Sequence, residues 1–273
     1  MIQKSSTNLP VKLFKLQSGW IIFLFLTHLI TQSRNVLTGR SLEAVQGSLQ
    51  IFNLDNEANL PAWYSSCALF VCALLLGIIA ASSAKTGRKK TRNSWFGLSL
   101  IFMLLSLDEA ISIHEEIIPG ILRRIDSLPF SNGYDWTVLG GLCFIGVVAG
   151  YFRFWWRLPS VTRYMFAIAA VIFVGGAIGF EKISHFYEAK YQTENTIAYV
   201  VTCGIEELLE MMGIALFTYG LLDYITQHVV EQISFFGADS DGFAAGFAGA
   251  DSLSHPQQGH AGLTKKRSKT TQV

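Results

Sequence analysis

The sequence is poor in charge. Only 15% of its 273 residues are Asp, Glu, Lys or Arg, and 51% are hydrophobic, whereas an ordinary soluble domain carries about 25% charged residues. This deficit excludes a typical soluble domain and predicts a membrane protein. The net charge of +1 also argues against a nucleic-acid partner, because such proteins carry a clustered excess of basic residues.

Cysteine is scarce as well. The sequence has four cysteines, and no two of them stand in a C-x-x-C pair; they are Cys67, Cys72, Cys143 and Cys203. Without that spacing, the sequence predicts neither a disulfide framework nor a thiolate metal site. All four lie in apolar segments, so we interpret them as packing residues.

Long apolar runs, in contrast, are abundant. A helix needs about 20 predominantly apolar residues to cross the hydrocarbon core of a membrane. Six stretches predict an all-α, polytopic bundle of about six transmembrane helices; they are residues 16–33, 62–83, 95–115, 135–154, 163–187 and 195–222. Lysines before the first stretch also resemble a signal peptide, but no small-residue cleavage site follows, so we interpret this stretch as a retained anchor.

Basic loops predict the orientation of the bundle, since Lys and Arg favour short cytoplasmic loops. They cluster in residues 1–15, 84–94 and 153–163, which all fall on one side of a six-helix count. Both termini are therefore predicted to be cytoplasmic, and in a bacterium the protein would lie in the plasma (inner) membrane. Five tryptophans near predicted helix ends should lie in the headgroup region; they are Trp63, Trp95, Trp136, Trp155 and Trp156.

The chain changes character after the predicted membrane domain of residues 16–225. Residues 226–273 are rich in Gly, Ala and Ser and show no sustained apolar period. Such a composition buries too little apolar surface to offset the entropy of the chain. We therefore predict a disordered cytoplasmic tail.

The predicted outer loop, residues 34–61, is longer than a simple connection needs, and long loops are often functional or disordered. Asp55, Glu57 and Asn59 alternate along it, so an extended segment could offer oxygens to a cation on one side. A solvated loop explains the same residues without a ligand. The sequence leaves both interpretations open.

Acidic residues interrupt the third apolar stretch, which ends in SLDEAISIHEE over residues 106–116. A rise of about 1.5 Å per residue places Asp108 about 20 Å along this helix, inside the bilayer. Asp108 and Glu115 share one face, and Glu109 lies on the neighbouring face. His114 joins them only if the helix bends or unwinds near its end.

The fifth and sixth stretches carry further acids. In the segment FEKISHFYE, Glu181, His185 and Glu188 stand at i, i+4 and i+7. They therefore share one helical stripe, which is a geometry suited to metal ligands. The sixth stretch adds three glutamates within an arc of about 100°; they are Glu206, Glu207 and Glu210.

This amount of buried charge has to be neutralised. A charged side chain costs on the order of 2.5 to 3.5 kcal/mol at the centre of a membrane helix, and the only Lys or Arg between the acids of these segments is Lys182. Salt bridges alone do not balance the carboxylates, which leaves protonation or a bound cation. Histidines among carboxylates favour a divalent metal, namely iron, manganese or zinc.

The predicted site therefore has two sets of residues. The sequence has no E-x-x-H, so it departs from di-iron carboxylate bundles, and a mononuclear site with two histidines and a carboxylate needs fewer assumptions. The predicted metal ligands are His114, Glu115, Glu181, His185, Glu188 and Glu210. The predicted acids and bases are Asp108, Glu109, Glu206 and Glu207. His28 is interpreted as a hydrogen-bonded or interfacial histidine, and no organic cofactor is predicted.

These segments, together with FNLDNEANLPAWYSS, resemble a family of uncharacterised bacterial multi-pass membrane proteins with an LDExxxxHE segment. The resemblance covers roughly residues 50–225. It implies a shared polytopic fold. It implies no activity, because we know of none established for that family.

Three functions remain open. A membrane-embedded, metal-dependent enzyme would act on a lipid or other apolar substrate from the outer leaflet. A proton or cation transporter would use the acids as a ladder, since intramembrane acids commonly mark ion pathways. A non-catalytic scaffold would hold the same side chains in a structural network. Neither enzymatic activity nor the oligomeric state follows from the sequence.

Overall fold

The computed structural model describes residues 9–39, 50–56, 59–85, 89–113 and 136–229. Every regular element in these ranges is helical, so the all-α prediction is confirmed there. The helices are α1 (Leu9–Leu37), α2 (Leu60–Lys85), α3 (Lys89–Ile111), α4 (Trp136–Trp156), α5 (Ser160–Val174), α6 (Glu181–Tyr191) and α7 (Ile197–Tyr224). A 3-10 turn (Gln50–Phe52) and two π-helical segments (Gly175–Phe180 and Ile225–Val229) complete them.

Five of the described helices are long and apolar enough to cross a membrane. They are Leu9–Leu37, Leu60–Ala84, Lys89–Ile111, Leu139–Trp156 and Ser160–Tyr191. The sixth predicted span corresponds to α7, whose 28 residues include the three glutamates, and α7 is not among the five. The fold therefore fits a multi-pass membrane protein, while six spans and cytoplasmic termini stay predictions.

Several predicted features lie outside the described residues. They include residues 1–8, residues 40–49 and 57–58 of the predicted outer loop, and residues 230–273 of the predicted tail. The chain is helical through Val229, a few residues beyond the predicted end of the membrane domain. His114 and Glu115 of the predicted site also lie outside.

Helix α7 is packed against α1, α2, α5 and α6, and α2 pairs with α3. The α2–α3 pair is joined by reciprocal hydrogen bonds, in which each hydroxyl of Ser66 and Ser106 donates to the other residue's backbone oxygen at 2.8 Å. Ser99 donates to the Ala73 oxygen in the same interface, at 2.7 Å. Small polar residues of this kind hold helices together where lipid removes the hydrophobic driving force.

Aromatic rings fill the bundle near the end of α7. Trp95 is fully buried, and its ring centroid lies 4.8 Å from that of Phe154 and 5.1 Å from that of Tyr224. Trp95 therefore does not face the headgroup region as predicted, because rings from other helices enclose it. We call this set the aromatic layer; it comprises Trp95, Phe102, Phe154, Phe166, Phe217 and Tyr224.

Candidate functional site

Ring contacts that reach from α3 to α7 indicate the level of the first acids. Two ring pairs join these helices: Trp95 with Tyr224 at 5.1 Å, and Phe102 with Phe217 at 4.6 Å. The second pair lies seven residues later in α3 and seven residues earlier in α7. The two helices are therefore antiparallel, and the pairs are about two turns apart on each helix. By the same spacing, we expect Glu109 of α3 at the level of Glu210 of α7.

The long helix made of α5, the π turn and α6 also runs antiparallel to α7. Gly213 and Gly220 lie against α5, where added Cβ atoms would meet Phe173 at 2.8 Å and Phe166 at 3.1 Å. Further along, a Cβ on Gly176 would lie 2.7 Å from the backbone oxygen of Glu206. The absence of these side chains lets the two backbones approach closely.

The side chains that follow this contact reach α7 as well. Glu181 is buried, with 7% of its surface exposed, and Ser184 is 4% exposed. The Ser184 hydroxyl lies 3.2 Å from Oε2 of Glu206, to which it donates a hydrogen bond. Glu181 therefore lies at about the level of Glu206, on the neighbouring helix.

These registers define one acidic layer, which comprises Asp108, Glu109, Glu181, Glu206, Glu207 and Glu210. Five of these residues are half-buried and Glu181 is buried. The layer collects acids from three helices that are far apart in the sequence. Along α3 and α7, it lies about two helical turns from the rings of Phe102 and Phe217.

Only some of the predicted metal ligands lie within the described residues. On α6, the side chain of His185 is exposed and that of Glu188 is half-buried. Within the described part of the chain, no group of three or more His, Cys, Asp or Glu side chains is arranged to hold a metal ion. Because His114 and Glu115 lie outside that part, the metal assignment stays a prediction.

Helix α3 ends three residues before His114, which lies outside the described residues. Its last residue is Ile111, and Ser112 follows with a left-handed φ of 52°. A non-glycine residue in this region breaks the helical path. The regular helix therefore ends before His114. Such a bend was predicted to be necessary for His114 to join the acids.

A second polar cluster joins α1 to α7 through His28. His28 is 1% exposed; its Nδ1 accepts a hydrogen bond from the Leu54 N–H at 3.1 Å, and its Nε2 lies 3.1 Å from the Val200 oxygen. A backbone N–H requires an acceptor and a carbonyl requires a donor, so these bonds assign the neutral Nε2–H tautomer. The ring thereby joins α1, the segment 50–56 and α7.

The same segment supplies a carboxylate to this cluster. Oδ1 of Asp55 accepts a hydrogen bond from the Tyr199 hydroxyl at 2.9 Å and another from the Cys203 thiol at 3.2 Å. Asn59 instead caps α2, because its Oδ1 accepts from the Ala62 N–H at 3.0 Å. Asp55 and Asn59 thus have different partners, and Glu57 lies outside the described residues, so the cation strip stays a prediction.

We call this second cluster the Asp55 clamp; it comprises His28, Leu54, Asp55, Tyr199, Val200 and Cys203. The interpretation of His28 as a hydrogen-bonded histidine is confirmed. The packing role of Cys203 is incomplete, because its thiol is also a buried donor. A signal for the clamp was present in α1, where polar residues recur at helical spacing and are all buried; they are His28, Thr31, Gln32 and Asn35.

The helices and the acidic layer together fit one class, a multi-pass helical membrane protein with buried and half-buried carboxylates. The family Domain of unknown function (DUF8692) matches residues 20–224, and the chain belongs to this family. The match runs from α1 to the last residue of α7, so it contains both polar clusters. No curated protein and no solved structure matches the chain.

Proposed function

We propose that the acidic layer belongs to a membrane-embedded enzyme site that binds a divalent metal ion and acts on a lipid or other apolar substrate. The observation that carries this proposal is the position of the layer. Ser184 of α6 donates to Glu206 of α7, the ring contacts predict the same level for Glu109 of α3, and aromatic rings lie about two helical turns further along α3 and α7.

The surplus of carboxylates supports a bound cation. Each charged side chain costs on the order of 2.5 to 3.5 kcal/mol at the centre of a membrane helix. Carboxylates that share one level also disfavour each other's ionisation. A divalent cation would relieve both costs, and it would be the largest local charge in the site.

The aromatic layer favours an enzyme over a transporter. A path for ions needs polar groups that continue through the bundle. About two turns below the level of Glu109 and Glu210, the facing side chains are the stacked rings of Phe102 and Phe217, whose planes differ by 5°. This arrangement favours a site that opens on one side only, which the basic loops predict to be the outer side.

The proposed roles follow the chemistry of the side chains. A bound metal would polarise an oxygen of the substrate or activate a water molecule. Glu181 and Glu210 would contribute ligands, together with His114, Glu115, His185 and Glu188. Half-buried acids beside such a centre can hold or release a proton; these would be Asp108, Glu109, Glu206 and Glu207.

Elemental analysis of the detergent-purified protein tests this proposal. We expect near-stoichiometric iron, manganese or zinc in the wild type and its loss in Glu181→Gln and Glu210→Gln, which remove two of the proposed ligands. Asp223→Asn is the matched control, because Asp223 lies at the far end of α7 and its Oδ1 accepts from Gln227 at 2.8 Å. This control should keep the metal.

Two results would overturn the proposal. The first is a metal-free wild type after purification without chelators and after attempted reloading. The second is full metal content in both glutamine variants. Proton or cation flux in liposomes that Glu206→Gln abolishes would then support the transporter, and neither metal nor flux would support the scaffold.

A further inference from the structure

The turn between α5 and α6 is π-helical over Gly175–Phe180. At its end, the N–H of Glu181 donates to the backbone oxygen of Gly176, five residues earlier in the chain. An α-helix would make this bond to the residue four positions earlier. The π turn therefore accommodates one extra residue within an otherwise continuous helix.

The extra residue changes which side chains face α7. Before the turn, the stripe that meets α7 comprises Phe166, Ala169, Phe173 and Gly176. At about 100° per residue, a regular α-helix would continue this stripe through Phe180 and Ile183 and would leave Glu181 about 120° away from Ala169. One additional residue in the turn brings Glu181 back to within about 20° of the direction in which Ala169 points.

Burial after the turn follows the shifted pattern. Glu181 and Ser184 are 7% and 4% exposed, whereas Ile183 is 41% exposed. A regular helix would reverse this arrangement, with the apolar Ile183 inside and the acid at the surface. The π turn thus places a carboxylate where the α-helical period predicts an aliphatic side chain.

Contacts with α7 fix the shifted segment in place. Gly176 meets α7 at the backbone oxygen of Glu206, where an added Cβ would lie at 2.7 Å. Two turns later, the Ser184 hydroxyl lies 2.9 Å from the Glu181 oxygen and 3.2 Å from Oε2 of Glu206. These contacts hold the π turn against Glu206, the residue that the register shift brings within reach of Ser184.

We infer that the π turn is a one-residue register shift that positions Glu181 and Ser184 against Glu206, with Gly176 as its contact point on α7. Glu181 is a positioned group of the proposed site, so the functional meaning of the shift rests on the proposed function. The geometry itself rests on packing and requires no metal. The two can therefore fail separately.

Cysteine cross-linking in the full-length protein tests the shift. The exposed Cys67 and Cys143 are first replaced by Ser, and Glu206→Cys is then combined with either Ser184→Cys or Ile183→Cys. A short thiol cross-linker, with the linked peptides identified by mass spectrometry, should join positions 184 and 206 at least several-fold more than 183 and 206. Equal linking of the two pairs would overturn the inference.

Changing the length of the turn gives a second test. Gly179 is exposed, and an added Cβ there would meet nothing within 4 Å. Its deletion should convert the turn to a regular α-helix, keep the protein folded and preserve the link between positions 184 and 206. Insertion of one Ala after Gly179 should instead shift the preference to position 183.

Loss of folding or of the 184–206 link on deletion of Gly179 would contradict the register shift. An insertion that leaves the preference for position 184 unchanged would do so as well. The expected cross-links in a protein that binds no metal would support the shift and refute only the proposed function.

Discussion

The Asp55 clamp and the acidic layer lie along the same half of α7, yet they are built in opposite ways. In the clamp, the imidazole and the carboxylate meet neutral partners, which are backbone groups, a hydroxyl and a thiol. In the acidic layer, carboxylates of three helices share one level. The clamp has the composition of an interhelical hydrogen-bonded joint, whereas the layer contains the carboxylates that the proposed function assigns to a cation.

Val200 and Gly204 lie on a different face of α7 from Glu206, whereas Cys203 of the clamp lies one turn before Glu206 and Glu207. The face with Val200 and Gly204 meets α1, and a Cβ on Gly204 would lie 3.1 Å from the His28 ring. The face with Glu206 meets the π turn and Ser184. One helix can thus carry a structural joint and a candidate site because side chains a few residues apart point to different neighbours.

The largest loss of stability is expected for His28→Ala in the clamp. This change removes a buried ring and leaves the Leu54 N–H and the Val200 oxygen without their partner, which should cost about 3 kcal/mol. Thr27→Ala is the control, because the Thr27 hydroxyl bonds only its own helix in the described contacts. Thermal unfolding in detergent measures both, and an unchanged midpoint for His28→Ala would refute the joint.

A smaller loss is expected for Asp55→Ala, which removes the acceptor of two buried donors and should cost about 2 kcal/mol. The bond to Tyr199 can be isolated by adding Tyr199→Phe, alone and in combination. Because the two residues share one hydrogen bond, their effects should be non-additive by about 1 kcal/mol. Strict additivity in unfolding measurements would show that Asp55 does not anchor Tyr199.

The close contact of the acidic layer is tested by Gly176→Ala against Gly175→Ala. The added methyl group would lie 2.7 Å from the Glu206 oxygen at position 176 but would meet nothing within 4 Å at position 175. Overpacking should cost about 1 to 2 kcal/mol in the first variant, and the second should change stability by less than about 0.5 kcal/mol. Equal thermal midpoints for the two variants would contradict the contact.

The smallest effect on stability is expected from charge removal within the acidic layer. Glu210→Gln keeps the size of the side chain and removes one of several like charges. In metal-free protein, it should leave stability unchanged or raise it by up to about 1 kcal/mol. A loss as large as that of Asp55→Ala would show that the layer is a structural network like the clamp.

The sequence predicted the helices well because long apolar runs have few alternatives in a membrane. It also placed the acids on α3, α6 and α7 correctly, since their positions depend only on those runs. The sequence did not predict the π turn within Ser160–Tyr191, because such a turn changes the facing side chains without a hydrophobic signal of its own.

The long-range contacts could not be predicted from the pattern. His28 meets partners 26 and 172 residues away, and no local period encodes either distance. Trp95 was expected at a membrane interface because it lies near the start of a helix. Its burial depends on rings from other helices, which only the tertiary structure brings together.

The most direct test of the difference between the two regions is the thermal midpoint with and without added divalent metal, for the wild type, Asp55→Ala and Glu210→Gln. A ligand at about 100 times its Kd stabilises the folded state by about 2.7 kcal/mol. We predict a metal-induced rise for the wild type and for Asp55→Ala, the latter from a lower baseline, and no rise for Glu210→Gln. A rise that Asp55→Ala abolishes and Glu210→Gln preserves would contradict the assignment of structure to the clamp and binding to the acidic layer.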